Sequence, residues 1–230
     1  MENVAIILAG GIGKRVGLPT PKQFLKLKGK PLFMWSIDSL VKHPAIDRVL
    51  FVYNKSFFSE TINILQEYNL SDKVELVEGG NERQISSYNA LKYLKDSDVK
   101  NVLIHDAARP LIDGELITNI ISCLSDCEAC VPVVKLKESI CKIADREILK
   151  IENREEFRVV QTPQGFDYET IILAHEKALE DNVKNSLDDS SLVLRLGKAV
   201  KFIDGDPLNI KVTYEEDLKI AELFVNLKGW

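Results

Sequence analysis

No stretch of this chain approaches the roughly 20 successive apolar residues needed to cross a bilayer, so no membrane-spanning helix is expected. The opening Met1-Glu2-Asn3 places no basic segment ahead of the apolar run that follows, which argues against a signal peptide and for a cytoplasmic protein. Cysteine is sparse, with Cys123, Cys127, Cys130 and Cys141 alone. Cys127 and Cys130 form a CxxC without a second pair to complete a zinc site, so the thiols are expected buried and free in a reducing compartment. A basic surplus is missing too: the formal net charge is −5, which argues against a nucleic-acid partner. Linkers, repeats and low-complexity tracts are absent, leaving 1–230 as a single domain. A length of 230 residues suffices for one α/β core, and 45% apolar with 28% charged residues is an ordinary globular composition.

What is present is a rhythm. Short apolar runs at 4–8, 48–53, 74–77, 101–105, 129–134 and 199–203 read as strands. Between them, 31–42, 57–68, 82–94, 114–127, 168–180 and 190–196 carry helical periodicity. The alternation predicts an α/β, Rossmann-like, mostly parallel sheet with helices on both faces. Ligands then bind beyond the carboxyl ends of the strands. The rhythm breaks once, where 137–143 and 147–152 flank Ala144-Asp145-Arg146 and read as an inserted β-hairpin. The segment 137–156 is expected to project as an arm.

The turn after the first run reads Leu8-Ala9-Gly10-Gly11-Ile12-Gly13, followed by Arg15 and Lys22. Its spacing fits neither the dinucleotide GxGxxG nor the P-loop GxxxxGK[ST], which counts against a dehydrogenase. Glycines let backbone N–H groups approach phosphate oxygens. Two cations just beyond suit a triphosphate attacked at its α-phosphorus, where charge accumulates in the transition state. A structural glycine turn with solvated cations remains the alternative for this segment taken by itself.

Further segments follow in order. They are Gly79-Gly80-Asn81-Glu82-Arg83 with Ser86, His105-Asp106-Ala107-Ala108-Arg109-Pro110, Gln161-Thr162-Pro163-Gln164, and Asn209-Ile210-Lys211-Val212-Thr213. Together with the glycine turn and Pro21-Lys22-Gln23 they resemble the 2-C-methyl-D-erythritol 4-phosphate cytidylyltransferases and their relatives, the ribitol-5-phosphate cytidylyltransferases. The likeness runs from about Val4 to Leu223.

That resemblance implies transfer of CMP from CTP to a polyol phosphate, with release of pyrophosphate and Mg2+ as helper. It implies Arg15 and Lys22 as stabilisers of the transition state, and Arg154 and Lys211 as the residues that place the acceptor. CTP falls to Leu8, Ala9, Gly10, Gly11 and Gly13, to Gly79, Gly80, Asn81, Arg83 and Ser86, and to Asp106 and Ala107. The acceptor phosphate falls to Arg109, Ser139, Arg154, Thr162 and Lys211. The arm is implied to embrace a second subunit in a homodimer, with Arg154 serving the neighbour's site. Asp106, ending an apolar run, suits Mg2+ through its oxygens or, alternatively, caps the turn that follows. His105 is read as scaffolding. In an otherwise inward strand end, Lys211 is expected to point into the site.

The acceptor divides the two branches. The Gly10-Gly11-Ile12-Gly13 turn and PKQFL side with ribitol phosphate, whereas HDAARP, Asp188–Val193 and Gly205–Asn209 side with methylerythritol phosphate. The reading leans to methylerythritol phosphate, with ribitol 5-phosphate as the alternative. A guanylyl- or uridylyltransferase would have no cause to carry NIKVT. A non-catalytic nucleotide-binding module, the rival from another class, would be expected to lose Arg15, Lys22 or Asp106 first.

Overall fold

The computed structural model describes residues 1–10, 22–184 and 186–229, with the side chains of Lys22 and Lys228 outside that description. In chain order the strands are β1 (Glu2–Leu8), β2 (Lys26–Leu27), β3 (Lys30–Pro31), β4 (Arg48–Tyr53), β5 (Glu75–Glu78) and β6 (Val99–Asp106). They continue with β7 (Ala129–Lys135), β8 (Cys141–Ala144), β9 (Glu147–Ile151), β10 (Arg158–Val160), β11 (Gln164–Asp167) and β12 (Lys201–Asp204). The helices are α1 (Leu32–Val41), α2 (Phe58–Glu67), α3 (Arg83–Tyr93), α4 (Gly114–Cys123), α5 (Tyr168–Glu180), α6 (Asp189–Arg195) and α7 (Glu215–Lys228).

Strands β5, β4, β1 and β6 lie side by side and parallel. β11 inserts antiparallel between β6 and β7. At Cys130, β7 pairs with β11 on one edge and with β12, parallel to it, on the other. At Val133 the β11 side is taken over by β10, so β10 and β11 are two halves of one edge partner. The sheet is therefore mostly parallel, as the alternation predicted. The antiparallel insertion is a departure: 161–164 had no strand-like apolar run, and the short β10 and β11 are set by pairing with β6 and β7 rather than by their own pattern.

Both faces are covered. Ala5 and Ile7 of β1 join a core cluster with Phe33 and Ile37 of α1 and Ile117 of α4. Val4 and Ile6, pointing the other way, join Leu91 of α3, Ile171 of α5 and Val193 of α6. A strand buried on both sides must be apolar throughout, which is why Val4 to Leu8 forms an unbroken run. Burying each such Ile, Leu or Phe side chain contributes roughly 1.5–3 kcal/mol. α4, α5 and α6 start where Asp113, Asp167 and Asp188 accept N-terminal backbone N–H groups. A third cluster seats α7, through Ala221 and Val225, on Leu27, Leu32, Leu111 and Val212.

Several expectations need adjusting. The helix predicted over 114–127 ends at Cys123, because Ser125 and Asp126 donate to carbonyls three residues back and tighten the chain out of the α-helix. Cys127 is thereby turned so that its Sγ lies 3.5 Å from that of Cys123. Cys130 is buried as expected, but Cys141 stands exposed on β8, and Cys123 and Cys127 are half-buried. Among the described residues no cluster of three or more His, Cys, Asp or Glu could hold a metal ion. Lys211 lies in an irregular segment rather than at a strand end, its neighbour Val212 donating to Ala108 O at 2.8 Å.

The hairpin β8–β9 forms a small sheet of its own, and Asp145 and Arg146 turn with positive φ between its strands. Its apolar residues Ile143, Ile148, Leu149 and Ile151 are all exposed. A two-stranded hairpin with no layer behind it is at best marginally stable in water. Among the described residues no helix is long and apolar enough to cross a membrane.

Candidate active site

The carboxyl ends of β1, β5 and β6 face a common cleft. At the first, Ala9 N donates to Val52 O, while Gln23 Nε2 holds Ala9 O at 2.8 Å and Asn54 Nδ2 holds Gly10 O at 3.0 Å. At the second, Gly79 N donates to Tyr53 O and the chain turns through Gly80 into α3. Ser86, one turn into α3 and only 3% exposed, accepts from Gly80 N at 3.1 Å and donates to Glu82 O at 3.0 Å. A Cβ placed on Gly10 or Gly79 would stand 3.1 Å or 3.0 Å from Ser86 Oγ. The two glycines thus leave a gap around that hydroxyl.

A first cavity is lined by Leu8, Ala9 and Gly10, by Gly80, Asn81, Arg83 and Ser86, and by Asp106 and Ala107. These are residues the sequence had grouped as a nucleotide site, and the fold gathers them although nearly a hundred positions separate the ends. Gly79 stands behind Ser86. Gly11, Gly13 and Arg15 lie outside the described residues, as does the side chain of Lys22.

Asp106 ends β6 and organises the charges. Its Oδ1 accepts from Arg83 Nε at 3.1 Å and its Oδ2 from Lys211 Nζ at 2.6 Å. Burial would raise its pKa, but Arg83, Lys211 and Arg109 override that and hold the carboxyl well below the usual range. The group is therefore ionised at any physiological pH.

Behind it sits a buttress. Thr162 Oγ1 accepts from Asp106 N at 3.0 Å and lies 3.1 Å from His105 Nδ1. His105 Nε2 lies 3.0 Å from Arg109 O, which can only accept, so Nε2 carries the ring proton and Thr162 donates to Nδ1. Burial pushes the fully buried His105 down to about 4, leaving it neutral scaffolding. The proton of Thr162 is thus given to His105, while its oxygen supports Asp106.

A second cavity adjoins the first, the two sharing Arg83, Asp106 and Lys211 as their common wall. Arg109 and Thr162 line it, with Gln164, Leu187 and Asp188, which the sequence reading had not assigned. Asp188 carries a legible signal, since an acid ahead of Ser190 and Ser191 is an N-cap pattern, and its side chain does accept from Ser191 N. Arg109 is a tie as well as a lining group: its terminal nitrogens donate to Asn209 O at 2.9 Å and Val160 O at 3.3 Å. Asn209 Nδ2 donates to Thr162 O at 2.9 Å, closing a bracket that presents Lys211.

Two residues that the resemblance implies for the acceptor are not brought here by this chain. Ser139 is exposed on the way into β8. Arg154, at the base of the arm, donates to Lys137 O at 2.6 Å and lines neither cavity.

For a divalent cation the carboxylate shared by the two cavities is that of Asp106. Each oxygen of Asp106 has a second lone pair beyond the one given to Arg83 or Lys211. That fits Mg2+, which is held by one or two carboxylates while phosphates and water complete its octahedron.

A doubly wound sheet carrying a cleft at its strand ends, with cations drawn around one ionised aspartate, is the framework of a nucleotidyltransferase. A family model described as IspD: 2-C-methyl-D-erythritol 4-phosphate cytidylyltransferase matches residues 3–227, and the chain belongs to that family. It is 41% identical over 221 residues to a 2-C-methyl-D-erythritol 4-phosphate cytidylyltransferase of Fusobacterium nucleatum, with 94% of each chain covered. The solved 4-diphosphocytidyl-2C-methyl-D-erythritol synthase of Anaerococcus prevotii superposes with a TM-score of 0.85 at 29% identity, covering 98% of this chain and 96% of that one. The 2-C-methyl-D-erythritol 4-phosphate cytidylyltransferase of Thermus thermophilus gives 0.81 at 28% identity, covering 98% and 100%.

Proposed function

We propose that the chain transfers CMP from CTP to 2-C-methyl-D-erythritol 4-phosphate, giving CDP-methylerythritol and pyrophosphate. The observation that carries this reading is the shared wall of Arg83, Asp106 and Lys211 between two adjoining cavities. A nucleotide in the first and a phosphorylated acceptor in the second meet across it. The family supports the methylerythritol branch over ribitol 5-phosphate.

The acceptor's phosphate oxygen attacks the α-phosphorus of CTP, and the bond to pyrophosphate breaks. No general base is needed, because a phosphate monoester with a second pKa of about 6 is already anionic. Lys211 orients the acceptor phosphate, and Arg15 and Lys22 stabilise the charge on the pentacoordinate phosphorus and departing pyrophosphate. Ser86 and the Gly79–Gly80 turn read the cytosine edge, where a wrong base leaves buried partners unpaired. Asp106 would hold Mg2+, which would supply positive charge to offset that of the phosphates. Arg154 and Ser139 belong to the arm, 137–156, and are assigned to the partner's acceptor site in a C2 homodimer. The exposed Ile143, Ile148 and Ile151 support that assignment, since they need a second surface to cover them. We place the enzyme in the cytoplasm as a single domain, without membrane or nucleic-acid partners.

The test is pyrophosphate release from the purified protein with CTP and Mg2+, comparing methylerythritol 4-phosphate with ribitol 5-phosphate. Turnover with the first is expected. Turnover with ribitol 5-phosphate alone would move the chain's activity to CDP-ribitol synthesis, and CTP binding without turnover on either would remove the acceptor assignment.

A further inference from the structure

Beyond Arg83 lies a carboxylate that lines neither cavity and that the chemistry above leaves unused. Asp189 opens α6, is 1% exposed, and accepts at Oδ2 from Arg83 Nη1 at 2.6 Å. Its Oδ1 lies 3.0 Å from Nε2 of His175, a fully buried residue of α5. Burial would raise the Asp189 carboxyl, but Arg83 and His175 outweigh it and hold the pKa at about 2. Asp189 therefore has no proton to give, and His175 Nε2 is the donor. The His175 ring in turn stacks on Tyr88 of α3, with centroids 6.2 Å apart and planes at 12°. Along Lys211, Asp106, Arg83 and Asp189 the charges alternate in sign.

An arginine facing a single carboxylate favours the two-pronged pairing that takes both oxygens. Here Asp189 holds Nη1 and fixes the plane of the guanidinium, and Arg83 reaches Asp106 through Nε and one oxygen only. The other oxygen of Asp106 is left for Lys211.

We propose that Asp189 and His175 are positioning residues for the reaction: they clamp one side of the Arg83 guanidinium so that its other side is presented to Asp106 and to the triphosphate. The proposal rests on the assignment of the first cavity to CTP. It gives a role to two buried polar residues that make no contact with either cavity.

Asp189→Asn keeps the shape but removes the charge, and CTP affinity measured by calorimetry is expected to fall about 10-fold, the scale of one charge-assisted hydrogen bond. The CTP KM should follow it. His175→Phe should weaken CTP binding in the same direction, and His175→Gln, whose amide can donate from the same place, should recover most of the loss. The decisive comparison is Arg83→Gln: in that background Asp189→Asn is expected to cost no further affinity, because the clamp has nothing left to hold. Unchanged CTP affinity in Asp189→Asn, or an equal loss with and without Arg83, would overturn the proposal and reduce Asp189 to a fold residue whose loss moves only the melting temperature. A wild-type protein that binds CTP but releases no pyrophosphate would sink the assigned reaction while leaving the clamp to be judged on affinity. No CTP binding at all would overturn both.

Discussion

Replacing Thr162 by valine separates two jobs that its hydroxyl could do. The side chain is 5% exposed, and valine matches its shape while lacking the oxygen. Two buried groups lose their partner: Asp106 N–H, bonded at 3.0 Å, and His105 Nδ1, at 3.1 Å. Leaving a buried polar group unmatched costs roughly 1–3 kcal/mol, so the pair should cost about 3 kcal/mol after some relaxation. For a chain of this length each kcal/mol moves the melting temperature by roughly 2–4 °C, giving a fall of about 6–12 °C. Catalysis should suffer through Asp106, with kcat reduced and both substrate KM values altered. Thr162→Ser, which keeps the hydroxyl, should stay near wild type in both respects. The measurement is thermal unfolding alongside steady-state kinetics for the two variants. A Thr162→Val protein that melts like wild type but has a raised acceptor KM alone would refute the buttress and return the hydroxyl to the acceptor phosphate.

Other expectations follow from the same site. Lys22→Ala should lower kcat by about 100-fold while CTP affinity falls far less, as measured by turnover and calorimetry; equal losses would make it a binding residue only. Arg154→Ala should raise the acceptor KM more than the CTP KM. Mixing Arg154→Ala with Lys22→Ala subunits should restore activity if Arg154 serves the neighbour's site, because one site per mixed dimer then has both residues intact; no recovery would place Arg154 in its own subunit's site. His105, at about 4 in the fold against 6.5 unperturbed, binds its proton more readily when unfolded. Stability is therefore fully present above about pH 6.5 and is lost as pH falls toward 4, by roughly 2–3 kcal/mol between pH 7.5 and 4.5. Denaturant titration across that window should find the loss in wild type and a much smaller one in a His105→Asn protein.

The sequence carried the sheet order poorly but the strand ends well. Val4 to Leu8 and Val102 to Ile104 are buried on both faces, so their apolar runs announce them, and the residues that follow each run become the cleft. The Gly10 and Gly79–Gly80 turns were legible as glycines following apolar runs, and an added Cβ at each would crowd a neighbouring side chain. β10 and β11 were not, since their pairing comes from β6 and β7, far from them in the chain. α7 escaped for a different reason: Ile220, Leu223 and Leu227 are exposed, so its apolar residues do not form one buried stripe. Asp189 lay within the segment Asp188–Val193, but neither it nor His175 carried a local mark of its role. Their meaning depends on Arg83, 106 residues before Asp189, and only folding brings them together.

The gap around Ser86 has a consequence for how the protein can change over generations. What defines that corner is the lack of atoms at positions 10 and 79, and lack cannot be adjusted by degrees. The smallest available replacement for either glycine puts a carbon about 3 Å from the Ser86 oxygen. A change there requires the Ser86 side chain to give way, or a change at 86 to come with it or before it. On the far side of Asp106 the wall is built of side chains, among them Lys211 on its flexible stem, rather than of their absence. One end of the cleft is thus held by backbone space and the other by side chains, and new acceptors are the novelty this framework can more easily explore.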